Sequence, residues 1–173
     1  FQSELADKAD NYSAIVFCIG ENGLDLAQNI GINPERRIKA ANWLGPLLVA
    51  AGLQGVREIL LFGYHGKLLK LAGGIFHTHH HLADGRLEIL TAHAACLGLP
   101  APTLQDIFTS PTAEAALQKL RSLDAAAGSD WVGKIYGAIA ETIDKRSQVY
   151  IHQHAEREVT VGCVLFDRNR ILF

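Results

Sequence analysis

The feature that most constrains the fold is a six-residue run, Ala14-Ile-Val-Phe-Cys-Ile19, in which every side chain is apolar. Polar residues precede this run and Gly20 follows it. A continuous apolar run of this length, rich in β-branched residues, is typical of a strand buried on both faces. The sequence therefore predicts a central strand, then a glycine turn over residues 20–23 and a helix over residues 24–30.

Buried strands and helical spacing continue to alternate along the chain. A helix is predicted over residues 40–52, a short strand over 58–62, a glycine-flanked turn over 63–66, and a helix that opens at Lys67. Further helices are predicted over residues 84–97, 103–108, 112–126 and 131–146, and a strand over 158–166. This order predicts the α/β class: a mostly parallel sheet with helices on both faces, in three layers, plus a C-terminal strand, in one domain spanning residues 1–173.

Charge and composition exclude several classes of protein. The 16 basic and 18 acidic residues give a net charge of −2, so neither nucleic acid nor a membrane surface is an expected partner. No apolar run reaches the roughly 20 residues that a membrane span requires. The three cysteines are isolated among aliphatic residues, which fits a reducing cytoplasm. The chain contains no methionine and begins at Phe1, so we expect a fragment of a longer protein. The sequence does not decide whether the chain forms a homodimer.

Four of the eight histidines fall within five residues, at positions 77, 79, 80 and 81. If this tract is extended, His77, His79 and His81 share one face; if it is helical, His77 and His81 lie one turn apart. Such clusters occur where protons are transferred or where metals or anions bind, although some are only solvated loops. No cysteine or acidic partner stands at the spacing of a closed zinc site, so no protein-bound metal is expected.

Two glycine-containing segments follow the predicted strands. Gly20 and Gly23 form a Gly-x-x-Gly pair, which is more often simple turn chemistry than a nucleotide cradle. In the second segment, Gly63 to Lys67, two glycines, a helix N-terminus and a lysine favour binding of a carboxylate or phosphate. It is not a P-loop, because it is too short and Leu68 stands where the magnesium-binding hydroxyl belongs.

The segments around these features resemble a known family. Residues 58–79 read EILLFGYHGKLLKLAGGIFHTH and residues 83–95 read ADGRLEILTAHAA, and both closely resemble the cobalt-precorrin-5B C(1)-methyltransferase family, CbiD. The upstream segments GENGLDLA and NWLG, at 20–27 and 42–45, also look like family segments. The resemblance spans most of residues 15–95 and concerns only the family's C-terminal half.

The resemblance implies transfer of a methyl group from S-adenosylmethionine to ring carbon C-1 of a cobalt-corrinoid tetrapyrrole, giving cobalt-precorrin-6A in anaerobic cobalamin biosynthesis. In-line methyl transfer depends on alignment more than on a strong nucleophile, so a rigid glycine-lined pocket suits it. An imidazole with a pKa near the working pH suits the base that takes a proton from the carbon centre. The N-terminal half of the family, absent here, is the expected partner.

The predicted site residues fall into three groups. The candidate bases are His65, His77 and His79. The candidate substrate-binding residues are Lys67, Lys70, Thr78, His80, His81, Asp84, Arg86 and His93, of which Arg86 and His93 lie seven residues apart on one helix face. The candidate donor-binding residues are Gly20, Asn22, Gly23, Gly63, Gly66, Gly73 and Gly74. Two alternatives remain: a histidine-dependent protein that binds or inserts a divalent metal such as cobalt, and a non-catalytic lobe that forms one wall of a substrate cleft.

Overall fold

The computed structural model describes residues 2–173, which form four strands and eight α-helices. The strands are β1 (Ala14–Ile19), β2 (Arg37–Ala40), β3 (Glu58–Tyr64) and β4 (Thr160–Phe166). The helices are α1 (Gln2–Asn11), α2 (Gly20–Asn29), α3 (Leu44–Leu53), α4 (His65–Leu68), α5 (Arg86–Cys96), α6 (Ala101–Phe108), α7 (Ala113–Ala127) and α8 (Trp131–Ala155). Two 3₁₀ turns are also present: Pro34–Arg36 directly precedes β2, and Leu69–Gly73 directly follows α4.

The four strands form one parallel sheet in the order β2-β1-β3-β4. The connection from β1 to β2 carries α2 over one face, and the connection from β2 to β3 carries α3 over the other. The predicted class is confirmed: the structure is α/β, with a parallel sheet between helical layers and a C-terminal strand.

Alternate residues of the central strand enter two separate cores. Phe17 belongs to the larger core, which includes side chains of α3, α5, α7 and α8. Cys18 belongs to a smaller core with Leu26 and Ala27 of α2, Phe62 of β3 and Phe166 of β4. The continuous apolar run of β1 is therefore explained by burial on both sides of the sheet.

Several predicted boundaries were wrong. Residues 20–23 are the first turn of α2 and not a turn before it, because Gly20 enters the helix directly from the strand. Residues 37–40 form an edge strand, although they contain only two apolar side chains, so the predicted helix over 40–52 begins later, at Leu44. Gly63 and Tyr64 extend β3, and the predicted turn is reduced to the entry into α4.

The longest correction concerns α8, which the sequence predicted to end at residue 146. The helix continues to Ala155 because buried residues keep recurring at every fourth position. These positions are Ile135, Ile139, Ile143, Ser147, Ile151 and Ala155. The polar residues around His152 form the exposed side of the same helix.

The contact between α2 and the sheet gives a testable consequence for stability. A Cβ atom on Gly23 would lie 3.0 Å from the Phe62 carbonyl oxygen, so Gly23→Ala should push α2 away from the strands and lower the free energy of unfolding by about 1–3 kcal/mol. The matched control is Gly137→Ala in α8, where a Cβ atom meets nothing within 4 Å. That control should gain up to about 1 kcal/mol from helix propensity. Equal effects in a urea titration would contradict the close packing.

Candidate functional site

The carboxyl ends of β1 and β3 form a topological switch point of the sheet, here called the crevice. These strands are neighbours, Ile19 pairs with Gly63, and the chain leaves β1 and β3 toward opposite faces of the sheet. In open parallel sheets, ligands bind where neighbouring strands send their connections to opposite faces. The predicted donor-binding residues of α2, β3 and α4 all lie at or beside this crevice.

A cation stands at the mouth of the crevice. Gly20 has a φ of +71°, and a Cβ atom there would lie 3.4 Å from Lys67 Nζ. The Lys67 ammonium therefore lies against the first turn of α2, where free backbone N–H groups also favour an anion. Within residues 2–173, no carboxylate forms an ion pair with Lys67. A carboxylate or phosphate of a ligand is the partner that this arrangement fits.

The glycines at the crevice allow close backbone approach. A Cβ atom on Gly63 would lie 2.8 Å from Ile19 Cβ, and one on Gly66 would lie 2.5 Å from the Tyr64 ring. Asn22 lies on the exposed side of α2, where its side-chain oxygen accepts a 3.4 Å hydrogen bond from Arg170. A side chain at Gly63 would displace Ile19 of the neighbouring strand β1, and a side chain at Gly66 would displace the Tyr64 ring.

Behind the crevice, a buried hydrogen-bond chain is centred on His65, which has no exposed surface. His65 Nε2 lies 2.8 Å from a Glu114 carboxylate oxygen, and His65 Nδ1 lies 2.7 Å from the Tyr136 hydroxyl. The Tyr64 hydroxyl donates to the same Glu114 oxygen at 3.2 Å, and Gln118 donates to the other oxygen. Sequence reasoning missed Glu114, Tyr136 and Tyr64, because partners 49 and 71 residues apart leave no signal in spacing.

The charge states in this chain follow from burial and hydrogen bonding. Burial lowers the pKa of His65, and the nearby Glu114 carboxylate only partly opposes this. Burial acts to raise the pKa of Glu114, but hydrogen bonds from His65, Gln118 and Tyr64 outweigh it and the pKa is lowered. In this buried hydrogen-bond network, Glu114 is therefore ionised and His65 is neutral. His65 donates from Nε2 to the carboxylate, and Tyr136 donates to Nδ1.

The C-terminal tail, residues 167–173, covers the hydrogen bonds of His65 from the side of β4. The Phe173 ring stacks on Tyr136 at 4.1 Å between centroids. The tail is held by the buried Asp167 carboxylate, which accepts backbone hydrogen bonds from Asn169 and Ile171 and pairs with Arg121 at 2.7 Å. His65 is thus enclosed on all sides, and its predicted role as a base stays a prediction.

The histidine loop, residues 77–81, is neither a strand nor a helix and is anchored from beneath. The buried Lys70 ammonium donates to the carbonyl oxygens of Thr78, at 3.0 Å, and Ala83, at 2.9 Å. Thr78 is also buried, and its hydroxyl donates to the Asn42 side chain at 3.0 Å. Lys70 and Thr78 therefore fix the loop beside the segment that follows β2; their predicted contact with substrate stays untested.

The imidazoles of this loop lie at its surface. His77 packs edge-on against Trp43 at 4.6 Å, and His79, His80 and His81 lie 4.0–5.1 Å from one another, centroid to centroid. The neighbouring His81 lowers the pKa of His80. Within residues 2–173, no three histidine, cysteine or acidic side chains are arranged to hold a metal ion.

The remaining predicted residues divide between the loop and a separate groove. Arg86 donates to both oxygens of Asp84, at 2.6 and 3.0 Å, and these hydrogen bonds lower the pKa of Asp84 to about 2. Gly74 and Arg146 line a different groove beside α8. His93 is half-buried, and its pKa is lowered by burial and by the same Arg146.

Gly73 lies apart from the crevice as well, because a Cβ atom there would lie 2.6 Å from Ile89 of α5. The structure thus places the candidate residues around β1 and β3 in one group, and those of the histidine loop in a second group. Gly73 packs against Ile89 of α5, and Gly74 and His93 lie near Arg146 of α8.

Comparison with known proteins identifies the family. The profile described as CbiD, C-terminal domain, matches residues 77–173. A cobalt-precorrin-5B C(1)-methyltransferase from Nostoc sp. is 61% identical over 173 residues, covering 98% of this chain and 47% of the relative. Enzymes of the same name from Cyanothece sp. and Synechocystis sp. are 59% and 54% identical, each over 98% of this chain and 45% of the relative. No solved structure matches.

The chain therefore belongs to the CbiD family, as the sequence resemblance predicted. It spans about half the length of the curated relatives that it matches. No helix within residues 2–173 is long and apolar enough to cross a membrane.

The buried His65 predicts a loss of stability in acid. Because its pKa is lowered from 6.5 in the folded chain, the unfolded chain takes up a proton first as the pH falls. The contribution of neutral His65 to the free energy of unfolding is therefore fully present above pH 6.5. Below pH 6.5 the free energy of unfolding should decrease by about 1.4 kcal/mol for each pH unit, until His65 is protonated in the folded chain as well. Urea titrations near pH 7.5 and near pH 5.5 measure this loss.

The comparison variant is His65→Gln, which removes the titrating group and should show a weaker dependence on pH. His81→Gln, which removes an exposed imidazole of the loop, should keep the dependence of the parent chain. Identical pH dependence in the parent and His65→Gln would contradict the assigned charge states.

Proposed function

We propose that this chain supplies the crevice side of the active site of an S-adenosylmethionine-dependent methyltransferase that methylates C-1 of cobalt-precorrin-5B to give cobalt-precorrin-6A. The relatives are cobalt-precorrin-5B C(1)-methyltransferases, and this supports methylation at C-1 of that substrate. The observation that carries the assignment is the Lys67 ammonium against Gly20 in the crevice between β1 and β3. That crevice combines a cation, a helix N-terminus and closely spaced backbone at the position where such sheets bind ligands.

The crevice fits the methyl donor better than the other glycine positions do. Gly20, Gly23 and Gly63 share one edge of the sheet, and α2 presents its first turn there. Gly73 and Gly74 lie away from it, against α5 and α8. When bound, the donor supplies an electrophilic methyl group on a sulfonium, and transfer breaks a carbon–sulfur bond as a carbon–carbon bond forms. Alignment in a rigid pocket supplies much of the acceleration in such a displacement.

The cations favour the acidic groups of the ligands. The carboxylate of the donor and the acetate and propionate groups of the tetrapyrrole are all anionic, and charge-assisted hydrogen bonds to them are strong. We assign Lys67 to such a carboxylate, since it forms no ion pair within the described chain. Arg86, also predicted to bind substrate, is already paired with Asp84 at the start of α5, so its charge is balanced within the chain.

The histidine loop supplies the groups for proton handling. His77 and His79 are partly exposed, whereas His65 is enclosed. We therefore propose that an imidazole of this loop, whose backbone is held by Lys70, accepts the proton released after methylation. His65 would then act as a positioning residue, because it links the end of β3 to α7 and α8 through Glu114 and Tyr136.

The assignment of Lys67 is tested by Lys67→Ala in the full-length protein. Loss of one charge-assisted hydrogen bond, worth about 1–3 kcal/mol, should lower kcat/KM for cobalt-precorrin-5B roughly 5- to 150-fold. Lys145→Ala is the control, because Lys145 lies on the exposed side of α8 and pairs with Glu141. Unchanged kinetics in Lys67→Ala would contradict the assignment.

The same assay separates the proposed function from the two alternatives. Methylation in the full-length protein that survives removal of both Lys67 and the loop imidazoles would identify this half as a non-catalytic lobe. Stoichiometric cobalt bound to His77, His79 and His81 after dialysis, without methylation, would support the metal-binding alternative.

A further inference from the structure

An apolar groove with a volume of about 440 Å³ lies beside the end of β2. It is lined by Gln2, Lys39, Ala40, Ala41, Trp43, Pro46, Leu47 and Ala50. The Lys39 ammonium at its rim is paired with Glu21, so its charge is already balanced within the chain. The groove therefore fits an apolar occupant and not an anion.

Trp43 makes this groove unusual for a protein surface. Its side chain is 66% exposed, although an indole is among the most costly groups to leave in water. The His77 ring packs edge-on against the indole. The backbone on either side of Trp43 is also bridged to the histidine loop, because Gly45 N–H donates to the Phe76 carbonyl oxygen and Thr78 N–H donates to the Asn42 carbonyl oxygen. A rigid, exposed tryptophan beside an apolar groove is typical of an anchor residue in an interface between proteins or domains.

The position of the groove favours one occupant. Gln2, in the first turn of α1, lines the groove, and the family profile that matches this chain describes a C-terminal domain. Relatives are about twice as long as the matched region, so a full-length member has a large N-terminal part. That part joins α1 next to Trp43.

We propose that the groove at Trp43 is the docking site for the N-terminal part of the full-length protein. This inference rests on the relatives' length and on the groove, and not on the methyl-transfer reaction. An apolar side chain of the N-terminal part fills the groove and buries the Trp43 indole. Because the groove borders the histidine loop and lies at the carboxyl edge of the sheet, the docked part also covers the crevice.

The test is hydroxyl-radical labelling of Trp43, measured by mass spectrometry in this chain and in the full-length protein. Burial of the indole should lower its labelling about fivefold in the full-length protein. Leu53 is the internal control, since it is 60% exposed and lies at the other end of α3. Its labelling should be the same in both proteins.

Paired variants test whether the groove holds the two parts together. Trp43→Glu in the full-length protein should expose the junction before α1 to limited proteolysis, whereas Leu53→Glu should not. Neither variant should unfold this chain alone, because both side chains are largely exposed.

Three results would overturn the proposal. Equal Trp43 labelling in the two proteins would show that the groove stays open. Protection in this chain alone that increases with concentration would identify a second copy as the occupant. Protection in the full-length protein only after addition of S-adenosylhomocysteine would identify the groove as part of a ligand pocket.

Discussion

The buried hydrogen bonds of His65 are the interaction on which the rest of the site depends. They join the end of β3 to the first turn of α7, through Glu114, and to the second turn of α8, through Tyr136. A buried carboxylate is costly unless donors surround it, and Glu114 accepts hydrogen bonds from three side chains. Removal of one partner would leave a charge or a polar group buried without a hydrogen bond, so this hydrogen-bond network resists rearrangement. The segment that carries Lys67 is fixed by this arrangement.

The same edge of the sheet collects the segments that follow β1, β2 and β3. The first contributes Gly20 and the start of α2, and the third contributes Lys67. The second contributes Trp43, which contacts the histidine loop through His77. Lys70 holds the backbone of that loop from beneath, and this fixes the histidine-rich segment at the edge of the sheet. The parallel sheet explains the convergence, because the carboxyl ends of all its strands face one way.

The sequence predicted the features that depend on local pattern. The apolar runs of β1 and β3 correctly predicted the central strands, and the glycines that follow them led to the prediction of a ligand-binding edge, which stays a prediction. The edge strand β2 was missed because Arg37 and Lys39 interrupt its apolar pattern. The roles of Glu114, Tyr136 and Tyr64 depend on contacts between distant segments, which spacing does not record. Lys70 was predicted to bind acidic groups of the substrate because of its charge. Its hydrogen bonds to the Thr78 and Ala83 carbonyl groups could not be predicted, because only the fold brings these groups to it.

The most direct test of this account is the protonation state of His65, measured by ¹⁵N NMR of the imidazole nitrogens in the folded chain. The account predicts a neutral ring at neutral pH, with the proton on Nε2 and with Nδ1 as the acceptor of the Tyr136 hydroxyl. Glu114→Gln should alter the Nε2 signal, whereas Tyr136→Phe should alter the Nδ1 signal. A doubly protonated ring, or a neutral ring with its proton on Nδ1, would contradict the arrangement on which the crevice depends.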